Sequence, residues 1–143
     1  MATVAGELRE PGPKPGSESE KITINLGYVD LGHIDLLVRE GFYANRTDLI
    51  RTAIRNQIER HAEATRQSVA RKQFDLGLRR FSRADLEAAL AAGQQLEIRV
   101  LGLVSITEDV SPDLARAAIA SISVLGALQA SAAVKAALAG RIH

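Results

Sequence analysis

KITINLGYVDLGHIDLLVREGFYANRTDLIRTAIRNQIERH, Lys21 to His61, is the stretch that decides the fold. It opens with strict alternation: Ile22, Ile24 and Leu26 fall on one side, and Lys21, Thr23 and Asn25 on the other. That period of two predicts a half-buried β-strand. No second strand pattern follows within hairpin distance, and a strand without a partner leaves its backbone donors and acceptors unpaired. The expected partner is therefore the same strand of a second copy.

The period then changes. Asp30 is a plausible N-cap, and Leu31, Ile34, Leu37 and Val38 recur at helical spacing up to Gly41, a natural stop. Asn45 can cap a second helix, expected to reach at least His61, whose Leu49, Ile50, Ala53, Ile54 and Ile58 form one apolar stripe. About 40 residues of strand, helix, turn and helix are too few for an independent core. Dimerisation would supply both the missing core and the missing strand, with Ile22, Ile24, Leu26, Ile34, Leu37, Ile50 and Ile54 as the expected shared core.

Over residues 21–62 the sequence resembles the ribbon-helix-helix DNA-binding family. The most specific part is Gly41-Phe42-Tyr43-Ala44-Asn45-Arg46-Thr47-Asp48-Leu49-Ile50-Arg51, which is similar to the turn and second-helix start of many members. The resemblance implies two antiparallel strands, one from each chain, entering the major groove of double-stranded DNA. Carried over by position, Lys21, Thr23 and Asn25 would read bases, and Asn45, Arg46 and Thr47 would clamp phosphate. The chemistry fits independently: the groove is wide enough for a two-stranded ribbon, and its base edges suit Lys and Asn. A helix start also offers free N–H groups and a positive dipole end to an anion. The plainer alternatives are a solvated strand face and an Asn45 that merely caps its own helix.

Working outward, 143 residues suit one large domain or two small ones. With 46% hydrophobic and 24% charged residues the chain can form a core. The absence of cysteine excludes disulfides, a thiolate nucleophile and Cys-based metal sites, and fits a cytoplasmic setting. Aromatics at 3% and no tryptophan argue against a face that stacks unpaired bases. His33, His61 and His143 have no metal-ligand spacing, and the Glu108-Asp109 pair has no base beside it. Neither a metal, nor a cofactor, nor an enzymatic role is expected. Ala117 to Val134 is uncharged over 18 residues, but Ser121, Ser123, Gln129 and Ser131 interrupt it, so a core segment rather than a membrane span is expected.

Charge is uneven. Net values are −2 over 1–20, +1 over 21–61, +4 over 62–83 and −2 over 84–143. Residues 1–20 carry three of the four prolines and read as a flexible arm. Residues 21–64 are the expected DNA-binding domain, 65–73 a basic helical linker, and 74–143 a second domain.

That second domain repeats itself. A shift of 24 residues lays Ile98-Arg99-Val100-Leu101-Gly102 on Ile122-Ser123-Val124-Leu125-Gly126, and a weaker copy starts at Phe74-Asp75-Leu76-Gly77. Each copy reads as strand then helix: Ser82 with Asp85, and Ser111 with Pro112, mark helix starts, the first helix running to Ala92 before Gly93 and the second through Ala120, and Gly140 is expected to stop the last helix. The whole is thus expected to be α+β, a ribbon-helix-helix followed by a small solenoid-like strand–helix repeat with parallel strands. So few copies leave the stack short, which suggests assembly with another subunit through Val100, Val104, Val124 and Leu128. The expected function is a sequence-specific, homodimeric transcriptional regulator, with repression the expected sign. The rival is an antitoxin whose C-terminal half binds a toxin protein.

Overall fold

The computed structural model describes residues 18–143; most of the expected N-terminal arm lies outside them. These residues divide into two units, Ile22–Ser68 and Val69–His143, the latter taking 18–21 with it.

The first unit contains α1, Tyr28–Arg39, and α2, Arg46–Arg60, followed by α3, Ala62–Lys72, which continues into the second. α1 starts three residues earlier than expected. Gly27 is its N-cap, and Asp30 lies within the first turn, where a carboxylate favours the positive end of the helix dipole. Gly41 ends the turn region with φ +86, a conformation that a side chain would strain. At α2 the cap is Asn45, whose side chain accepts from the Asp48 N–H at 2.8 Å. No residue of α1, α2 or α3 is fully buried.

The second unit alternates: β1, Asp75–Phe81; α4, Arg83–Ala91; β2, Leu96–Ile106; α5, Pro112–Ala118; β3, Ile119–Gln129; α6, Ala132–Ala137; and a 3-10 turn, Ala139–Arg141. The three strands are parallel, in the order β1-β2-β3. Their register matches the repeat found in the sequence, with Gly77 beside Gly102 and Gly102 beside Gly126. All three glycines have positive φ. At Gly102 a Cβ would lie 2.1 Å from the Gly77 carbonyl oxygen, and at Gly126 2.0 Å from that of Gly102, so only glycine fits either position.

Each of α4, α5 and α6 has a side-chain cap. Ser82 and Asp85 form a full capping box for α4, Ser111 caps α5 with Pro112 in its first turn, and Ser131 caps α6. α5 stops at Ala118 rather than Ala120, because Ile119 already extends into β3. Gly140 does not end α6; the helix finishes at Ala137 and the chain tightens into the 3-10 turn.

Helix residues Leu86, Ala115, Ala118 and Val134 pack with Ile98, Val100, Val104, Ile106 and Ile122 on one face of the sheet. Val100 and Val104 are 1% and 0% exposed, which corrects their assignment to an assembly surface: they hold this unit's own core, and each buried aliphatic contributes about 1.5–3 kcal/mol. Val124 and Leu128 are half-buried against the same cluster. The other face keeps Leu76, Leu78 and Leu125 exposed. No helix among the described residues is long and apolar enough to cross a membrane.

Candidate nucleic-acid interface

Residues 19–27 form neither helix nor strand within the single chain. Lys21, Thr23 and Asn25 are exposed there, as are Ile22 (72%) and Ile24 (56%). Two isoleucines on the apolar phase of an alternating segment are thus more than half exposed. Leu26, Ile34, Leu37 and Ile50 are half-buried, while Ile54 is exposed together with Leu36, Phe42 and Ile58, which the periodicity did not single out for the shared core. A unit of this size with none of its helical residues buried lacks the apolar burial that stabilises a domain.

The second cluster is built on the start of α2. The N–H groups of Arg46 and Thr47 lie in the first turn, where an α-helix has no carbonyl partner four residues back. Asn45, Thr47, Asp48, Arg51 and Arg55 line an open groove of about 320 Å³ at this end. Arg51 and Arg55 are one helical turn apart, so their side chains project from the same side of α2. Sequence reasoning stopped at the family-like motif and missed both arginines, although their spacing of four was a readable signal. Lys21, Thr23 and Asn25 take no part in this groove.

Two of the three expected clamp residues have other work in the chain. Asn45 spends its carbonyl on the cap, and Asp48 accepts from the Ala44 N–H at 2.9 Å, which rigidifies the turn. Arg46 makes a two-pronged pair with Asp35 of α1, Nε to Oδ1 and Nη2 to Oδ2, both at 2.8 Å. That hydrogen bonding holds the Asp35 carboxyl below its ordinary value and the Arg46 guanidinium above its own. Arg46 therefore ties α1 to α2, and Arg51 and Arg55 are the cations that face the groove with no acceptor of the protein among the described residues. Asp48 adds one negative charge at the rim.

No group of three or more His, Cys, Asp or Glu among the described residues is placed to hold a metal ion. No curated protein and no solved structure matches the chain. The sequence model of the ribbon-helix-helix transcriptional regulator family matches residues 17–135. The match takes in the alternating segment at 21–26, all three helices of the N-terminal region and most of the parallel-sheet unit, well beyond the resemblance at 21–62. The chain belongs to the ribbon-helix-helix transcriptional regulator family.

Proposed function

We propose that the protein is a homodimeric repressor that reads double-stranded DNA in the major groove. Two copies of the segment 21–26 pair antiparallel, turning Ile22, Ile24 and Leu26 onto the helices and Lys21, Thr23 and Asn25 toward base edges. The observation that carries this reading is the exposure of Ile22 and Ile24 on an alternating segment that pairs as a strand with none of the described residues. A symmetric strand from a second copy would cover both isoleucines and pair the backbone at once. Asn45 and Thr47 at the start of α2, with Arg51 and Arg55 beside them, contact phosphate; Arg46 positions α2 against α1. Residues 21–64 then form the DNA-binding domain, 65–73 the basic helical linker and 74–143 a solenoid-like domain that joins dimers.

Joining dimers lets several ribbons engage tandem half-sites, so that weak single contacts add through effective concentration. Ligand sensing is a second reading with one observation in its favour. On the face of the sheet away from the helices, a groove of about 380 Å³ runs over Gly77, Gly102 and Gly126 between Leu78, Leu103 and Ala127, with Glu18, Ser19 and Glu20 on its wall.

Enrichment of duplexes from a random pool tests the proposal. The expected product is a motif of two inverted half-sites bound by one dimer. A pool that shows no enrichment, or enrichment of a motif without two inverted half-sites, would overturn it.

A further inference from the structure

We propose that the outer edge of β1 pairs with β1 of a second copy, antiparallel about Gly77, so that Asp75 of each strand faces Arg79 of the other and Leu76 faces Leu78. This names the surface behind the assembly reading and rests on that reading for its role.

Three observations lead there. Among the described residues β1 ends the sheet, and six of its seven residues are exposed, so its outer side offers a strand edge of the kind that proteins pair or cover. The opposite edge is engaged by the chain itself: the His143 N–H donates to the Ile122 carbonyl at 2.7 Å, and the Val124 N–H to the His143 carbonyl at 3.3 Å. Head-to-tail growth of β3 onto β1 is therefore obstructed, whereas a two-fold pairing of β1 with itself is not.

The second observation is the conformation of Gly77. Its φ of +118 matches the turn that lets Gly102 and Gly126 receive a neighbouring strand's carbonyl, yet none of the described residues lies within 4 Å of its own Cβ direction. The edge strand thus keeps the same backbone shape that accommodates an adjacent strand elsewhere in the sheet.

Charge selects the register. The sequence Asp75-Leu76-Gly77-Leu78-Arg79 is self-complementary when run antiparallel about its glycine, with opposite charges opposed at both ends. Centring the pairing on Leu78 opposes Asp75 to Phe81 and leaves Arg79 facing Gly77, and centring it on Arg79 opposes two arginines. In the glycine-centred register the leucines Leu76 and Leu78 share the face away from the helices, so the apolar rows of the two sheets run on into each other.

Within one chain Asp75 and Arg79 already pair at 2.6 Å, and the test must separate that bond from the one between copies. Charge reversals in the full-length chain do so. Asp75→Arg and Arg79→Asp each place like charges in every self-pairing, but a mixture of the two opposes Arg to Asp at both ends, while the bond within each chain stays broken. Assembly lost in either variant alone and recovered in the mixture by light scattering is the expected result. The chain has no cysteine. Leu76→Cys mixed with Leu78→Cys should therefore form a disulfide between them at least tenfold faster than either alone. No preferential cross-link and no recovery on mixing would overturn the pairing. In that case a wild-type particle larger than a dimer would leave assembly standing on another surface, and a strict dimer would remove both. Preferential cross-linking within a strict dimer would uphold the pairing and remove the joining of dimers.

Discussion

Ile24→Ala measures how much the second copy contributes to folding. In the single chain Ile24 is 56% exposed, so somewhat over half of its surface remains for a partner to cover. Full burial of such a side chain is worth about 1.5–3 kcal/mol, which leaves about 1–1.7 kcal/mol per chain and about 2–3 kcal/mol per symmetric dimer. At about 1.4 kcal/mol per tenfold, the dissociation constant of the ribbon dimer should rise about 30- to 100-fold. Ile24→Asp adds an unpaired buried carboxylate, costing several kcal/mol more, and should abolish the folded unit. The chain has no tryptophan and its two tyrosines, Tyr28 and Tyr43, both lie in the first unit, so near-UV tyrosine signals report on that unit alone. Unfolding midpoints followed that way should depend on protein concentration and shift with Ile24→Ala. A concentration-independent midpoint in the wild type, or an unshifted one in the variant, would refute the shared core.

Arg51→Ala and Arg55→Ala should each flatten the slope of log affinity against log salt by about 0.9 for every phosphate that is no longer neutralised, weakening all sequences alike. Titrations with duplex DNA at several salt concentrations check this, and unchanged slopes would move the clamp away from α2. Gly102→Ala combines a strained φ of +140 with a Cβ 2.1 Å from a carbonyl oxygen, and should cost about 3 kcal/mol or more in urea unfolding of the second unit. Gly77→Ala carries only the backbone strain and should cost about 1–2 kcal/mol in the single chain. Asp35 is held below its ordinary value by Arg46, so its contribution is present above the unfolded carboxylate range near 3.9 and is lost as pH falls through the lower folded value. Asp35→Asn should therefore flatten the acid limb of a stability–pH profile, and by a small amount, because the pair is exposed.

The elements that local pattern specifies were the legible ones. The caps at Asn45 and Ser111 and the capping box at Ser82 each act within three residues, and the 24-residue shift of Gly102 onto Gly126 foretold the strand register. Residues whose role depends on a distant neighbour were not legible. Arg46 is spoken for by Asp35, 11 positions away, and nothing in the motif distinguishes it from a phosphate ligand. Val100 and Val104 have the apolar phase that an assembly surface would share, but helices α4 and α5 of the same chain cover them. The start of α1 shifted because Gly27, with no side chain to cap, still adopts the extended conformation that an N-cap requires. Arg51 and Arg55 gained meaning only once the groove placed them beside Asn45 and Thr47.

The most direct measurement is the preference of the full-length protein for its enriched duplex over random duplex at matched salt, in the wild type and in the variants Thr23→Ala and Asn25→Ala. Removing a side chain that bonds a base edge should reduce that preference by about 1–3 kcal/mol while binding to random duplex persists. If both variants retain the full preference, the segment 21–26 does not read DNA.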